Sequence, residues 1–262
     1  MLELSQILSF YPEHLRPFQA NLLREYLQYK ILEAIYDSPQ GAELSFMGGT
    51  CIHIIHGNPR FSEDLDFDNL GLSREAFEGL SQSVFMALER EGYTVELKTT
   101  MGNAFRARYR FENILFESGL TGHRGEKLLI QVDTEPQHFP HAPEPFILNK
   151  FDVFLRINAV PVDILLAQKL LCIFTRKRAM GRDFFDAVYL FGKTGPNLKY
   201  LEQKLEIESM AELKVKLLSR CEELDFELLA KDVEPFIFDK KDVKKVRLFP
   251  EFVESAIRPS PN

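Results

Sequence analysis

The sequence has few cysteines. It contains Cys51, Cys172 and Cys221 and no others. An odd number of cysteines at wide separations forms neither a disulfide framework nor a zinc-binding pattern. We therefore interpret the three thiols as small, buried, hydrophobic side chains.

The sequence also lacks a secretion signal and a membrane-spanning run. Residues 1–6 do not have the basic start and apolar block that a signal peptide needs. No apolar run in the chain approaches the ~20 residues of a membrane helix. These absences predict a cytoplasmic protein that does not partner with a membrane.

Positive charge is in the minority. The 32 lysines and arginines are outnumbered by 39 acidic residues, for a formal net charge of −7. This balance argues against a protein that coats nucleic acid by bulk electrostatics, but it allows a local basic groove. Arg106, Arg108 and Arg110 alternate with apolar residues and so share one face of a predicted strand. That face is either a surface that tracks phosphates or a charged sheet edge in solvent.

The periodicity of the apolar residues changes near residue 158. Hydrophobic residues make up 45% of the chain, which is enough for a substantial core. Helical spacing and strand-like alternation are mixed before this point, and helical spacing dominates after Pro161. The pattern predicts an α+β fold, with a mixed-sheet domain and N-terminal helices over 1–158 and a helical domain over 159–262.

The same periodicity gives bounds for individual elements. Strands are predicted over 44–47, 64–68, 93–98, 105–111, 128–132 and 151–157. Helices are predicted over 22–36, 50–56, 73–91, 163–178, 183–191, 198–205 and 210–218, with a final segment around 252–257.

A double glycine lies between a predicted strand and a predicted helix. Gly48 and Gly49 have no Cβ, so their backbone amides can approach an anion, and the following helix adds N–H groups and a favourable dipole. Thr50 adds a hydroxyl at the same place. The segment is typical of a phosphate-binding turn or, alternatively, of a tight strand-to-helix turn.

A row of aspartates follows. Asp64, Asp66 and Asp68 alternate with Leu65 and Phe67, so the carboxylates project from one strand face with alternate Cα atoms about 6.5–7 Å apart. Two unit charges about 4 Å apart repel by on the order of 1 kcal/mol in water and about 4 kcal/mol at an effective dielectric of 20. The row therefore indicates a bound cation. Mg²⁺ suits it, because Mg²⁺ binds one or two carboxylates plus phosphate oxygens. An acidic strand edge or turn is the alternative.

Together these motifs resemble the signature of a known family. Phe-Met-Gly-Gly-Thr at 46–50 and Pro-Arg-Phe-Ser-Glu-Asp-Leu-Asp-Phe at 59–67 are similar to motifs of the AbiEii-type abortive-infection toxins, in the polymerase-beta-like nucleotidyltransferase superfamily. The resemblance implies a nucleotidyltransferase-type mixed sheet. It also implies that Gly48, Gly49 and Thr50 hold the triphosphate of an NTP, and that two aspartates, Asp64 and Asp66, hold two Mg²⁺ ions.

The resemblance further implies a third metal-binding carboxylate on a later strand. Asp133, which ends the apolar run 128–132, is the best match. Glu135 is the second candidate, and an ordinary aspartate at a strand end is the alternative.

A second signature lies in the helical half, where Lys169 precedes an Arg-Asp-x-x-Asp element at 182–186. Lys169 and Arg176 are seven positions apart and share a helix face. Lys169 either reaches the triphosphate as a mobile charge or is a surface lysine whose stem lies along apolar neighbours. A local ion pair between Arg182 and Asp186, at i and i+4, would account for part of the motif.

The resemblance assigns roles to this half of the chain. It implies that the helical domain completes the nucleotide cleft and that Lys169 and Asp183 act in catalysis. The remaining residues that it implies in nucleotide binding are Arg60, Ser62, Arg176 and Asp186.

The implied reaction transfers a nucleoside monophosphate from an NTP to a hydroxyl. By resemblance, the acceptor is the 3′ end of a tRNA, and the protein is the toxin of a type IV-like toxin–antitoxin (abortive infection) system with a cognate antitoxin. Two alternatives stay open: modification of a small-molecule or protein hydroxyl, and a catalytically silent nucleotide- or RNA-binding module. The carboxylates Asp64, Asp66 and Asp133 argue for an enzyme.

Overall fold

The computed structural model describes residues 1–257. Its strands are β1 (Leu44–Met47), β2 (Leu65–Asn69), β3 (Val95–Met101), β4 (Phe105–Phe111), β5 (Leu128–Glu135), β6 (Glu144–Lys150) and β7 (Val153–Ala159). Its helices are α1 (Leu4–Ser9), α2 (Gln19–Tyr36), α3 (Gly48–Ile54), α4 (Arg74–Arg90), α5 (Ile114–Glu117), α6 (Val162–Thr175), α7 (Gly181–Phe191), α8 (Leu198–Leu205), α9 (Met210–Glu222), α10 (Phe226–Val233), α11 (Lys244–Arg247) and α12 (Phe249–Ala256).

The chain forms two compact units. The first unit comprises residues 1–56 and 61–160, and the second comprises residues 57–60 together with the described residues from Pro161 onward. The boundary that the periodicity predicts lies two residues earlier. Nothing in the periodicity indicates that the four residues between α3 and β2 belong with the helical unit.

The first unit is built on one sheet with the strand order β3-β4-β5-β2-β1-β7-β6. β1 runs parallel to β7 and β2 runs parallel to β5, whereas the other neighbouring strands are antiparallel. A mixed, mostly antiparallel sheet with many helices confirms the predicted α+β fold.

One face of this sheet is covered by helices. The alternating residues Ala107, Tyr109 and Phe111 of β4 are buried on that face. The Tyr109 hydroxyl donates a hydrogen bond of 3.1 Å to the carbonyl of Ser81 in α4. Because side chains alternate along a strand, the neighbouring polar residues of β4, β5 and β2 point to the opposite face. That polar face carries Asp66 of β2, Asp133 of β5 and Arg106 of β4.

Five elements escape the periodicity: the helices α1, α5, α10 and α11 and the strand β6. Strand β6 buries only Leu148, so it lacks the apolar alternation that identifies a half-buried strand. Helix α10 is short, but Asp225 caps it by accepting hydrogen bonds from the backbone N–H groups of Glu227 and Leu228. An Asp before an apolar run is a readable start signal, so α10 was predictable from the sequence, whereas β6 was not.

The second unit packs α7 into its interior. Phe184 stands edge-on to Phe226 and Phe249, with ring centroids 5.4 Å and 4.9 Å away. Asp183 and Asp186 on the same helix are also buried. A buried carboxylate needs charged or hydrogen-bonding partners, so the interior of this unit must supply them.

Cys51 and Cys221 are buried and Cys172 is half-buried, so the interpretation as buried hydrophobic side chains is confirmed for the first two. None of the helices in residues 1–257 combines the length and the apolar character needed to cross a membrane.

Candidate active site

The glycine turn lies directly against Asp66. Gly48 begins α3 with a φ of +77°, and a Cβ at this position would lie 2.2 Å from Asp66 Oδ2 and 2.9 Å from Asp66 Cβ. Met47, the residue before Gly48, is the register partner of Asp66 in the antiparallel pairing of β1 and β2. Only glycine fits here, since it tolerates the positive φ and leaves room for the carboxylate.

Substitution of Gly48 tests this contact. Gly48→Ala should displace the Asp66 carboxylate and cost more than the ~1–3 kcal/mol of a strained backbone conformation alone. Gly57→Ala is the matched control, because Gly57 has the same φ of +77° and its Cβ would meet only Tyr189 Oη, at 3.5 Å. Urea unfolding of both variants gives the comparison. Equal losses of stability would show that the approach of Gly48 to Asp66 is not a constraint.

Thr50 fixes the start of the aspartate strand. Its side chain is fully buried, and its hydroxyl donates a hydrogen bond of 2.5 Å to the main-chain carbonyl of Asp64. The hydroxyl hydrogen is directed to the backbone, and the contact of Thr50 with a triphosphate stays a prediction. Gln28 of α2 holds the preceding turn by donating from Nε2 to the carbonyls of Ser62 and Glu63, both at 3.0 Å. The proposed nucleotide contact of Ser62 stays a prediction.

The sheet brings Asp133 beside Asp66. The two residues are direct partners in the parallel register of β2 and β5, so their side chains share the polar face. Glu135 is the partner of Asp68, one step further along the same strands. Asp133 is therefore the β5 carboxylate next to Asp66. We call Asp64, Asp66 and Asp133 the carboxylate row.

Asp133 is held by Arg106 of the neighbouring strand β4. Arg106 donates from Nε to Oδ1 at 2.6 Å and from Nη2 to Oδ2 at 3.3 Å, and Gln131 Nε2 donates to Oδ2 at 2.8 Å. The hydrogen bond to Asp133 raises the pKa of the Arg106 guanidinium, and the charges of Asp64 and Asp66 raise it further. Arg106 thus lies in the field of the whole carboxylate row. The sequence showed this arginine only as part of a basic strand face.

The other arginines of β4 also have partners. Arg108 Nε donates to Gln131 Oε1 at 2.9 Å, and Arg110 Nη1 lies 3.3 Å from Glu96 Oε1. β4 lies between β3 and β5, so the alternative of a charged sheet edge is wrong. The face is polar and mixed in charge rather than a continuous basic stripe.

Asp68 does not project with the other aspartates into an open row. It is almost fully buried and accepts a hydrogen bond of 2.8 Å from the backbone N–H of Gln137. His141 Nδ1 lies 3.7 Å from the second carboxylate oxygen of Asp68. Asp68 therefore anchors the loop between β5 and β6, which the sequence pattern did not indicate.

The carboxylate row fits Mg²⁺ in part. Carboxylate oxygens are suitable ligands, and Mg²⁺ needs only one or two of them when phosphate oxygens complete its shell. Asp66 supplies such oxygens, and its carboxylate lies against the backbone of Gly48. Across residues 1–257, no group of three or more His, Cys, Asp or Glu side chains is arranged to hold a metal ion. The engagement of Asp133 by Arg106 is consistent with that result.

In the second unit, Asp186 is bound by Arg60. Arg60 donates from Nε to Oδ1 at 2.5 Å and from Nη2 to Oδ2 at 2.6 Å, and Asn58 Nδ2 donates to Oδ1 at 2.6 Å. Arg60 is 2% exposed and Asp186 is 0% exposed. The two residues bind each other within the second unit, and their predicted contact with the nucleotide stays a prediction.

Lys169 joins Asp186 to Asp183. Its Nζ lies 2.9 Å from Asp186 Oδ2 and 3.2 Å from Asp183 Oδ1, and Arg176 Nε lies 3.1 Å from Asp183 Oδ2. Lys169 is buried, so the alternative of a surface lysine is wrong. We call Arg60, Lys169, Arg176, Asp183 and Asp186 the buried ion-pair cluster, although the side chain of Arg176 is 44% exposed.

The cluster keeps Asp186 and Lys169 ionised. Burial raises the pKa of Asp186, but the charges of Arg60 and Lys169 outweigh this effect and lower it to about 2. Burial lowers the pKa of Lys169, but the carboxylates of Asp186 and Asp183 raise it above its usual value. Three cations face two carboxylates, which leaves a net positive charge with Arg176 as the member most open to solvent.

Similarity to known proteins shows both the fold and the family of this chain. Two solved structures have a similar fold, a candidate nucleotidyltransferase from H. pylori (18% identity, 90% of this chain and 95% of that chain covered, TM-score 0.56) and JHP933 from Helicobacter pylori (18% identity, 90% and 93% covered, TM-score 0.53). The chain belongs to the AbiEii family, since residues 30–250 match the family described as nucleotidyl transferase AbiEii toxin, type IV TA system. No curated protein matches the chain.

Proposed function

We propose that the protein transfers a nucleoside monophosphate from an NTP to the 3′ hydroxyl of a tRNA in the cytoplasm, with pyrophosphate as the leaving group. In this proposal it is the toxin of a type IV toxin–antitoxin pair and is neutralised by a cognate antitoxin. The observation that carries the proposal is the contact of Gly48 with Asp66, with Asp133 in register beside Asp66. This contact joins a turn that accepts phosphate to carboxylates that accept a divalent cation.

The site residues of the first unit have distinct roles in this proposal. The backbone of Gly48 and Gly49 approaches the phosphates, because neither residue has a Cβ. Asp64 and Asp66 hold Mg²⁺, and Asp133 is the candidate third ligand. Mg²⁺, once bound, neutralises charge on the phosphates and lowers the pKa of the attacking hydroxyl. Thr50 is a positioning residue that fixes Asp64 through its carbonyl.

In the second unit, we assign the contact with a phosphate to Arg176, because it is the most exposed cation of the buried ion-pair cluster. Lys169 then acts as a positioning residue, since its charge lies between Asp183 and Asp186. Of the two carboxylates in the cluster, we assign the catalytic role to Asp183, which is the partner of Arg176.

One assay tests the proposed reaction and its acceptor. The full chain is incubated with Mg²⁺, tRNA and each α-labelled NTP in turn, and the label is followed to RNA, protein or small molecules. We expect label on tRNA, and we expect tRNA with a periodate-oxidised 3′ end to remain unlabelled. Label on protein or on a small molecule would replace tRNA as the acceptor. Absence of transfer with every NTP would indicate a silent binding module.

A further inference from the structure

Arg106 lies in the middle of the polar sheet face and binds a carboxylate that the proposed function assigns to a metal. We infer that Arg106 is an internal counter-ion for Asp133 in the absence of metal. Arg106 must release Asp133 before Asp133 can bind the metal ion. This inference rests on the proposed function, because it concerns the same carboxylate row.

The geometry sets Arg106 apart from an ordinary surface ion pair. Its two nitrogens bind both oxygens of Asp133, at 2.6 Å and 3.3 Å. The two residues are also direct register partners in the antiparallel pairing of β4 and β5, so the backbone places the guanidinium opposite the carboxylate. On the other side of Asp133, its register partner is Asp66. Arg106, Asp133 and Asp66 therefore form one line across three adjacent strands.

A guanidinium and a divalent cation cannot share this carboxylate without cost. Mg²⁺ sits about 2.0–2.1 Å from its oxygen ligands, and Arg106 Nε lies 2.6 Å from Asp133 Oδ1. A metal ion and a guanidinium bound to the same carboxylate are therefore close together, and their like charges repel. Gln131, the other donor to Asp133, is neutral and adds no such repulsion. The side chain of Arg106 is 37% exposed, so solvent is available to the guanidinium when it leaves Asp133. The structure thus couples the binding of metal to the movement of one arginine.

The same strand offers a matched control. Arg108 lies two residues along β4 on the same face, and its Nε donates to the neutral side chain of Gln131 rather than to a carboxylate. Each substitution removes one positive charge from the same strand face, but only Arg106 contacts a proposed metal ligand.

The test measures the binding of Mn²⁺ alone to the full chain by titration calorimetry, without NTP or tRNA. Arg106→Gln keeps much of the length of the side chain and removes its charge. We expect it to bind Mn²⁺ roughly tenfold more tightly than the parent chain, which corresponds to about 1.4 kcal/mol. Arg108→Gln should bind with nearly the parental affinity. Equal or weaker binding by Arg106→Gln, or an equal gain in both variants, would overturn the inference.

Two further variants separate this inference from the proposed function. Asp66→Asn should abolish binding of Mn²⁺ in either background. If it does, and Arg106→Gln binds as the parent does, then only the role of Arg106 fails. If Mn²⁺ binds none of these proteins, the proposed metal site fails as well. Should Arg106→Gln not fold, Arg106→Lys keeps the charge but loses the two-pronged contact, and an affinity no tighter than the parent's would likewise count against displacement.

Discussion

Asp66→Asn should lower kcat for nucleotidyl transfer by at least about a thousandfold, equivalent to roughly 4 kcal/mol of lost transition-state stabilisation. The reason is that Asp66 is the carboxylate that touches the glycine turn, so it joins the site proposed for the cation to the site proposed for the phosphates. Asparagine keeps the shape of the side chain and removes the charge that a cation needs. The measurement is transfer of label from an NTP at saturating Mg²⁺, with circular dichroism to verify the fold.

Substitutions of Asp133 and Glu135 test which β5 carboxylate acts with Asp66. Asp133→Asn should also reduce transfer, whereas Glu135→Gln should leave it within a few-fold of the parent, because Asp133 is the partner of Asp66 and Glu135 is not. Near-normal turnover in Asp66→Asn would remove the carboxylate row from the mechanism. A loss in Glu135→Gln that exceeds the loss in Asp133→Asn would exchange the roles of these two residues.

Asp186→Asn should destabilise the protein by about 3–5 kcal/mol, the usual cost of removing one partner from a buried ion pair. The substitution leaves Arg60 and Lys169 as buried cations close to each other. Glu234→Gln in the same unit is the control. It removes an exposed pair with Lys240 at 3.6 Å, for which a loss of about 0–1 kcal/mol is expected. Denaturant unfolding of both variants gives the two losses, and similar values would contradict the structural role of Asp186.

The ionisation of Asp186 should make the free energy of unfolding depend on pH. Because the pKa of Asp186 is lowered from 3.8 to about 2, its stabilising contribution is present above pH 3.8 and is lost as the pH falls towards 2. Asp186→Asn lacks this contribution at every pH. The difference in unfolding free energy between the two proteins should therefore shrink between pH 4 and pH 2. A difference that stays constant over this range would show that Asp186 is not an ionised partner.

Most helices and strands of the fold could be predicted from local sequence patterns. The alternation along β4 and the helical spacing along α4 and α8 are strong because each element has one apolar face and one polar face, so their bounds agree closely with the prediction. Strand β6 fails this rule because it lies at the sheet edge and buries only one residue. Periodicity reports burial, and an edge strand with little burial leaves little signal.

The contacts within the candidate site could not be predicted from the sequence, for a different reason. Spacing alone predicted that alternate aspartates share a face, but Asp68 is buried by a loop that lies almost seventy residues later in the chain. The bond between Arg60 and Asp186 joins positions 126 residues apart. The pairing of Arg106 with Asp133 depends on the register of β4 and β5. A single sequence does not encode such distances in any local pattern, so the chemistry of these residues was predictable but their partners were not.

The segment 57–60 has a consequence for how the protein can be divided. The chain leaves the first unit after residue 56, contributes four residues to the second unit, and returns at residue 61. The two units are therefore joined by three covalent crossings rather than one linker. A fragment cut at residue 160 would keep Arg60 without Asp186, and the complementary fragment would keep Asp186 without Arg60. Neither half is a self-sufficient module, so swapping the helical half between relatives requires exchange of this tetrapeptide as well.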